Sequence, residues 1–311
     1  MSRSRSIPSP DRWPLAAVIP RDRINLDATL LSGQAFCWRR DAQGRWHGWI
    51  GALPCHIETT PEGYHVHSLA PAVQIEHYLG LTLDLPAVIN SFPADPWLAE
   101  ATAYAPGLRL LAQEPWETLA SFICSAVKQI PQIEQINQEL RRRFGPQVAP
   151  GLHAFPSPAI LAQAGEAALR ACKLGFRARG LHQTARQLVA GEVDLEALRS
   201  LDTAAARDHL VRLRGVGPKI ADCTLLFAYR RQDAFPIDVW VERVLRELYF
   251  KGRKTRPERL RRFLRDYFGP HPGYAQQYLF HWVRTTRPAA AMGKPKTKAA
   301  KAPRSLPQSK S

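Results

Sequence analysis

The sequence predicts an α+β protein in which an antiparallel β-sheet domain precedes an all-α domain. Between about residue 21 and residue 70, four stretches are β-prone, AFCWRR, RWHGWIG, CHIETT and YHVHSL, with turn-forming residues such as DAQG and PEG between them. From about residue 75 onward, apolar residues recur at spacings of three and four, which is typical of amphipathic helices. With 311 residues, the chain is long enough for two or three packed units.

The helical pattern occurs in PWETLASFICSAVKQIPQIEQINQELRRRF, SPAILAQAGEAALRACK, TAAARDHLVRL, KIADCTLLFAYR, VWVERVLREL and AQQYLFHWVRTT. Ser157 and Asp238 are placed to cap the helices that follow them. After Arg287 the chain is rich in alanine, lysine, proline and serine, a composition that buries little apolar surface. We therefore expect a basic N-terminal arm (1–20), a sheet domain (21–105), a helical domain (106–287) and a disordered basic tail (288–311).

The composition is basic, with 43 lysines and arginines against 27 acidic residues. This charge favours a polyanionic partner, either nucleic acid or an anionic membrane surface. The five cysteines are widely spread without a C-x-x-C pair, which argues against a disulfide framework, a zinc site or an iron–sulfur cluster. No apolar run approaches the roughly 20 residues of a membrane span. We therefore expect a soluble intracellular protein.

The stretch RGVGP separates two helical stretches and indicates a tight hairpin, because its glycines permit positive φ angles. Proline is favoured in the first turn of a helix, so the second helix is expected to begin at Pro218. The free N–H groups of that helix start, with those of Gly215, Val216 and Gly217, form a small anion site suited to a DNA phosphate. An ordinary turn between helices is the alternative.

Lys219 lies in the first turn of this second helix, where the positive end of the helix dipole disfavours an ammonium ion. A neutral amine can attack a sugar carbon and form a Schiff base, whereas a charged one would contact phosphate, and the local pattern leaves both open. Asp238 follows nineteen residues later as an expected N-cap. A capping carboxylate is held rigidly, so it could also activate the lysine and stabilise positive charge on a sugar.

Five segments resemble the 8-oxoguanine DNA glycosylases of the helix-hairpin-helix superfamily. LLSGQAFCWR is similar to the family's N-terminal motif, GLRLLAQEPWETLASFICS to the entry into its helical domain, LGFRAR to its lesion-probing segment, GVGPK with the later PID to its catalytic motif, and PGYAQQYLF to its last helix. The segments occur in the family's order from about residue 25 to residue 285. The resemblance implies a TBP-like antiparallel sheet domain followed by a helix-hairpin-helix catalytic domain.

The resemblance also implies a bifunctional base-excision-repair enzyme. Such an enzyme removes 8-oxoguanine from duplex DNA through a lysine Schiff base and then cleaves the abasic strand by β-elimination. Lys219 resembles the nucleophile and Asp238 its catalytic partner. The implied base pocket consists of the Gly33 carbonyl, which accepts from the imidazole-ring N–H of the lesion, Cys223 and Phe280 on the two faces of the base, and Gln276 on its Watson–Crick edge.

Phe176 resembles an aromatic side chain that enters the base stack, and Arg177 resembles an arginine that contacts the opposite cytosine. The carbonyls of Val211, Leu213 and Val216 resemble those that hold a structural alkali or alkaline-earth ion.

The chain departs from the human-type members of the family after FICS. Val127 stands where they have the asparagine that fills the gap left by the flipped base, and Gln132 where they have a further arginine that contacts cytosine. We therefore expect a weaker preference for cytosine opposite the lesion.

Two alternatives stay open: a glycosylase for alkylated or other damaged purines, and a non-catalytic helix-hairpin-helix protein that only binds DNA. The endonuclease III-like branch carries a four-cysteine cluster after its aspartate, whereas no cysteine follows Cys223 here. We expect no cofactor, duplex DNA with oxidised guanine as the partner, no membrane association and a monomer, located in the cytoplasm with the nucleoid if the protein is bacterial.

Overall fold

The computed structural model describes residues 12–253 and 255–286. Most of the predicted N-terminal arm and all of the predicted tail (288–311) lie outside these residues. In the described part, an antiparallel sheet precedes a helical region, so the predicted α+β fold is confirmed.

The sheet has the strand order β1-β5-β4-β3-β2, and every pair of neighbours is antiparallel. Its strands are β1 (Leu15–Ile19), β2 (Arg39–Arg40), β3 (Trp46–Ile50), β4 (Leu53–Thr60) and β5 (Gly63–Ser68), and a separate two-stranded ribbon consists of β6 (Gln147–Ala149) and β7 (Leu152–His153). The four predicted β-prone stretches overlap β2, β3, β4 and β5.

The strand β1 lies within residues 1–20, which the sequence assigned to an arm, so the sheet begins earlier than residue 21. It pairs with β5 through positions such as Ile19 and Tyr64, and Ile19 is buried beneath the sheet. Only five residues between Pro14 and Pro20 form this strand, and its partner lies more than forty residues further along the chain. The local sequence pattern therefore gave little indication of strand β1.

The helices are α1 (Leu26–Leu31), α2 (Ala72–Tyr78), α3 (Leu85–Asn90), α4 (Pro96–Tyr104), α5 (Pro115–Cys124), α6 (Ile130–Phe144), α7 (Pro158–Leu169), α8 (Arg177–Val189), α9 (Thr203–Leu210), α10 (Pro218–Phe227), α11 (Val239–Tyr249), α12 (Pro257–Tyr267) and α13 (Pro272–Thr286). One stretch that the sequence treated as a single helical segment is divided into α5 and α6, and the connection over residues 125–129 reaches the candidate site.

Two hydrophobic cores support these elements. The smaller core lies against the sheet, where Trp38 donates through Nε1 to the hydroxyl of Tyr78 at 2.8 Å. The larger core fills the helical region and includes buried residues of α3 and α4. Residues 85–104 thus pack with the helical region, although the sequence assigned them to the sheet domain (21–105).

Helix α13 joins the two parts of the molecule. It is buried along most of its length, and its Tyr274 and Tyr278 hydroxyls hydrogen-bond to the backbone of Leu110 and Leu108 at 3.1 Å. Because this helix is fixed on several sides, the side chains that it presents to the candidate site have a rigid support.

Within residues 12–253 and 255–286, no helix has the length and apolar character needed to cross a membrane. The same residues contain no group of three or more histidine, cysteine, aspartate or glutamate side chains arranged to hold a metal ion.

Candidate active site

The hairpin between α9 and α10 packs closely on α8. Gly215 has φ = +84°, and a Cβ atom at this position would meet Gly180 Cα of α8 at 2.9 Å. The neighbouring Arg214 carbonyl accepts a hydrogen bond from Thr184 Oγ1. Gly217 has φ = −100° and is the N-cap residue of α10. Of the two hairpin glycines, therefore, only Gly215 uses the positive φ angle that the sequence led us to expect.

Lys219 is the second residue of α10, directly after Pro218 as predicted. Its side chain is half-buried, and Nζ donates to Ser125 Oγ at 3.3 Å. Nζ also lies 5.1 Å from the centroid of the Phe122 ring. The C-terminal end of α5 therefore positions the amine at the floor of a cavity instead of leaving it in solvent.

Asp238 is the N-cap residue of α11, as predicted. Its Oδ1 accepts a hydrogen bond from the Val241 N–H at 2.7 Å. This cap fixes the carboxylate in one orientation, and the same side chain lines the cavity that contains Lys219. The Asp238 carboxylate therefore both caps α11 and forms part of the cavity wall.

The cavity has a volume of about 120 Å³. It brings together the residues that the sequence assigned to catalysis and to the base pocket, from α10, α11, α13 and the connection after α1. Its lining consists of Gly33, Phe36, Phe122, Ser125, Lys128, Ile130, Ile133, Lys219, Cys223, Phe227, Pro236, Asp238, Val241, Gln276, Gln277 and Phe280.

Gln276 is a buried polar side chain in the wall of this cavity. The residue is only 5% exposed, and its buried Oε1 has no hydrogen-bond partner among residues 12–253 and 255–286. The adjacent Gln277 differs, because its Nε2 donates to the Ser32 carbonyl at 3.0 Å. Buried polar groups in folded proteins are nearly always paired, so the Gln276 amide is a candidate to accept a hydrogen bond from a ligand in the cavity.

Gly33 lies in the positive-φ region, with φ = +79°. A Cβ atom here would meet Ile130 Cδ1 at 2.7 Å and a ring carbon of Phe280 at 3.4 Å. Glycine therefore lets two apolar side chains approach the backbone at this wall of the cavity. The neighbouring Gln34 amide holds the turn by donating to the Arg109 carbonyl at 2.8 Å.

Cys223 lies one helical turn after Lys219 on α10 and is 3% exposed. Burial raises the pKa of its thiol to about 12, and the nearby Lys219 only partly opposes this effect. The side chain is therefore a neutral, polarisable wall and not a thiolate nucleophile.

Phe176 and Arg177 differ in exposure. Phe176 is 66% exposed, as expected for a side chain that enters a base stack. Arg177 is 7% exposed, and its Nε donates to the Ala126 carbonyl at 2.5 Å while Nη1 donates to the Leu174 carbonyl at 3.1 Å. A contact with an opposite cytosine would require its release from these carbonyls, so that contact stays a prediction.

Val127 and Gln132, the two positions that the sequence assigned to the opposite-base region, lie on either side of the start of α6. Val127 is 93% exposed and has φ = +56°. Gln132 is exposed, and its Oε1 accepts from the Gln129 N–H at 3.1 Å.

The hairpin carbonyls of Val211, Leu213 and Val216 offer partial support for the predicted ion. The Leu213 carbonyl accepts from the Val216 N–H at 3.2 Å, whereas those of Val211 and Val216 accept no hydrogen bond from the described backbone. Carbonyl oxygens suit hard cations, and the ion stays a prediction.

The sequence did not single out Ser125, Lys128 or Ile130, which also line the cavity. Ser125 was present in the quoted FICS stretch, but its approach to Lys219 joins residues 94 positions apart and has no local signal. Lys128 belongs to the connection between α5 and α6, and Ile130 is the first residue of α6; the sequence did not separate either from one long helical segment.

Residues 17–119 match the family described as the 8-oxoguanine DNA glycosylase N-terminal domain, and residues 120–270 match the HhH-GPD superfamily of base excision DNA repair proteins. A probable N-glycosylase/DNA lyase of Methanothermobacter thermautotrophicus is 30% identical over 302 residues, which cover 86% of this chain and 95% of that protein.

Two solved structures extend these similarities. Clostridium acetobutylicum 8-oxoguanine glycosylase/lyase, in complex with dsDNA containing cytosine opposite 8-oxoguanine, is 29% identical with a TM-score of 0.78, over 85% of this chain and 92% of that one. A 3-methyladenine DNA glycosylase from Archaeoglobus fulgidus is 22% identical with a TM-score of 0.66, over 87% of this chain and 98% of that one, and shares the fold.

Proposed function

The chain belongs to the 8-oxoguanine DNA glycosylase/lyases of the helix-hairpin-helix superfamily, and we propose that Lys219 is the nucleophile of both its activities. It is a DNA glycosylase and AP lyase that acts on duplex DNA containing 8-oxoguanine. The residue roles and the Schiff base are our proposal.

One observation carries this proposal. An amine on α10 and a carboxylate at the N-cap of α11 line the same small cavity as the Gln276 side chain, whose buried Oε1 has no hydrogen-bond partner among the described residues. A protein that only bound DNA would need none of these three groups in one cavity. The unpaired oxygen favours a purine edge with N–H donors, such as that of guanine and its oxidised form.

In the chemical step, the neutral Lys219 amine attacks C1′ of the damaged nucleotide. The N–C1′ bond forms while the glycosidic bond breaks, and the base leaves with the bonding electrons and takes up a proton. The amine loses a proton, and opening of the sugar ring gives the Schiff base. Elimination of the 3′ phosphate then cleaves the strand, and hydrolysis of the imine returns the free lysine.

Asp238 is suited to assist this step through its fixed charge. Positive charge develops on the sugar as the glycosidic bond breaks, and a carboxylate held by its cap needs little reorganisation to stabilise it. Ser125 holds the Lys219 amine at 3.3 Å and keeps it in the cavity before DNA binds.

The proposed base pocket consists of residues that line the cavity. We propose that the neutral Cys223 thiol and the flat Phe280 ring contact the two faces of an extruded base, and that Gln276 offers an acceptor for its edge. The Gly33 carbonyl is our proposed acceptor for the N7–H that 8-oxoguanine has and guanine lacks. Outside the pocket, the N–H groups of Gly215, Val216 and Gly217 are our proposed contacts to a DNA phosphate.

An excision assay on four duplexes tests the substrate assignment. These carry 8-oxoguanine, a formamidopyrimidine, an alkylpurine or no lesion, and each is incubated with the wild-type protein and with Lys219→Gln. We expect the wild type to release the two oxidised purines and neither of the others, and the variant to release none. Faster release of the alkylpurine would instead identify an alkylpurine glycosylase.

A further inference from the structure

The connection between α5 and α6, residues 125–129, contains a turn that brings a second lysine to the cavity. The Ser125 carbonyl accepts a hydrogen bond from the Lys128 N–H at 3.1 Å and closes this turn. Val127 within it has φ = +56° and is 93% exposed, whereas Lys128 is half-buried and lines the cavity. A β-branched residue is strained in the left-handed region, and such strain is typical of backbone at functional sites.

The two amines of the cavity differ in their contacts. Nζ of Lys219 donates to Ser125 Oγ at 3.3 Å. Among the residues that the structure describes, the ammonium of Lys128 forms no hydrogen bond or ion pair. Charged groups that are withdrawn from solvent are usually paired. The charge of Lys128 is therefore free to bind negative charge on a ligand in the cavity.

Lys128 lies on a stretch of wall that leads from the proposed nucleophile to the proposed base pocket. At one end of this stretch, Ser125 contacts Lys219. At the other end, Ile130 packs against Gly33, because a Cβ atom at Gly33 would lie 2.7 Å from Ile130 Cδ1. Lys128 thus belongs to the wall that adjoins Gly33, whose carbonyl is the proposed acceptor for the N7–H of the lesion.

Breakage of the glycosidic bond separates charge across this cavity. The electron pair of the C1′–N9 bond passes to N9 of the base while the Lys219 nitrogen bonds to C1′. Until that nitrogen gives up a proton to the base, the base is an anion, and its charge spreads over the imidazole ring and the C8 oxygen. N7 and C8 are neighbours in this ring, so the wall at Gly33 faces the atoms that become negative.

We propose that Lys128 stabilises the departing base, through contact of its ammonium with the imidazole-ring side of 8-oxoguanine as that ring becomes negative. Lys128 keeps its proton throughout, and the proton that neutralises the base comes from Lys219. Asp238 has the complementary role toward the positive sugar. This inference rests on the proposed function and adds a residue to its chemistry. Lys128 acts in base removal and not in strand cleavage, which breaks no bond to the base.

Two single-turnover rates test this role: release of the base from an 8-oxoguanine duplex, and strand cleavage of a duplex with a preformed abasic site. Lys128→Met removes the charge and keeps a side chain of similar length. We expect base release to slow about 10- to 100-fold, as when a preorganised charge-stabilising donor is removed. Cleavage of the abasic duplex should stay within about twofold of the wild-type rate. Equal losses in the two reactions would overturn the proposal.

Two further variants identify the charge of Lys128 as the cause. Lys128→Arg keeps the charge and should release the base within about fivefold of the wild-type rate. Lys251→Met removes the same charge from an exposed position after α11, outside the cavity, and should leave both rates unchanged. If Lys128→Arg were as slow as Lys128→Met, the charge would not be the cause and the proposal would be wrong.

Other uses of Lys128 have different outcomes. A phosphate contact would make the plot of log affinity against log salt concentration shallower by about one in Lys128→Met, measured by fluorescence anisotropy. A contact with the opposite base would confine the loss of base release to one partner base. We expect an unchanged salt slope and an equal loss opposite cytosine and adenine. Either of the other two results would overturn the role in base removal.

Failure of the function can be told apart from failure of this inference. If the wild type releases 8-oxoguanine from no duplex, the proposed function is wrong and the role of Lys128 is overturned with it. If the wild type releases the base and Lys128→Met does so at the same rate, the function stands and only the role of Lys128 is wrong.

Discussion

Gln276 is a buried side chain that is better suited to a ligand than to the folded protein alone. Its Oε1 lacks a partner in the described part of the chain, whereas the Nε2 of the adjacent Gln277 donates to the Ser32 carbonyl. An unpaired buried acceptor costs about 1–3 kcal/mol of folding free energy. A donor such as a purine N–H that binds in the cavity would offset this cost.

Replacing Gln276 with leucine is therefore expected to leave the free energy of unfolding unchanged or to raise it by about 1 kcal/mol. The same variant should lose at least tenfold in kcat/KM for 8-oxoguanine excision, because the base edge loses its acceptor. Urea unfolding and excision kinetics measure the two effects. Gln277→Leu is the matched control and should destabilise the protein, since it leaves the Ser32 carbonyl unpaired. Equal destabilisation by both variants would contradict the interpretation.

Substitution of Asp238 can separate its capping role from its proposed chemical role. Asparagine caps helices as well as aspartate does. Asp238→Asn should therefore change the unfolding free energy by less than about 0.5 kcal/mol, while excision falls by about 100-fold or more through loss of the charge. DNA affinity, measured by fluorescence anisotropy, should change little.

The control is Asp202→Asn, at the cap of α9 outside the cavity, where Oδ1 accepts from the Ala205 N–H at 2.7 Å. This variant should retain wild-type excision. Parallel losses of binding and excision in Asp238→Asn would mean that Asp238 is only a cap.

The sequence was informative about these residues to different degrees. Lys219, Asp238, Cys223, Gln276 and Phe280 could be named because short motifs contain them. Their shared cavity, and the unpaired state of the Gln276 oxygen, depend on how α10, α11 and α13 pack. The internal pairing of Arg177 was not predicted, because it joins positions that are 51 residues apart.

The hairpin shows how close packing between elements fixes the position of Lys219, the proposed nucleophile. Gly215 and Gly180 bring the hairpin and α8 into backbone contact, which sets the start of α10 relative to α5. Gly217 has open space around it, because a Cβ atom at this position would meet no atom within 4 Å, and its φ angle is ordinary. The two glycines of one motif therefore have different structural roles.

Gly215→Ala is expected to lower the unfolding free energy by about 1–3 kcal/mol, because alanine is strained at φ = +84° and would clash with Gly180. Gly217→Ala serves as the control and should cost less than about 1 kcal/mol. Thermal or urea unfolding of the two variants measures the difference. Equal stabilities would show that the approach to α8 does not constrain the hairpin.

Elements with strong local patterns were predicted well, and those that depend on distant partners were not. β3, β4 and β5 consist of β-prone residues with turn signals between them, α10 begins at the predicted Pro218, and α11 begins directly after its predicted cap, Asp238. The strand β1 depends on pairing with β5. The break between α5 and α6 depends on residues 125–129, where Val127 adopts a left-handed conformation that no local pattern requires.

In the molecule as a whole, two buried histidines couple stability to pH. Burial, followed by the proximity of His67, lowers the pKa of His56 in the sheet to about 4, although Glu58 opposes this effect. Burial and then Arg284 lower the pKa of His281 on α13 to about 4. Both histidines take up protons more readily in the unfolded chain, where the pKa is near 6.5.

The unfolding free energy is therefore expected to fall as the pH drops below about 6.5, with the loss complete near pH 4. Each histidine contributes up to about 2 kcal/mol between pH 7 and pH 5. Urea unfolding at these two pH values measures the loss. His56→Gln and His281→Gln, which cannot take up the proton, should each reduce it. If both variants lose as much unfolding free energy as the wild type, titratable groups other than His56 and His281 cause the loss.

The most direct test of the central claim, that Lys219 is the nucleophile, is borohydride trapping on a duplex that contains 8-oxoguanine. Reduction of a Schiff base joins the protein covalently to the DNA, and mass spectrometry of the digested adduct locates the modified residue. We predict a wild-type adduct at Lys219, and none with Lys219→Gln. No adduct from an active wild-type protein, or an adduct of equal yield in the variant, would contradict the claim.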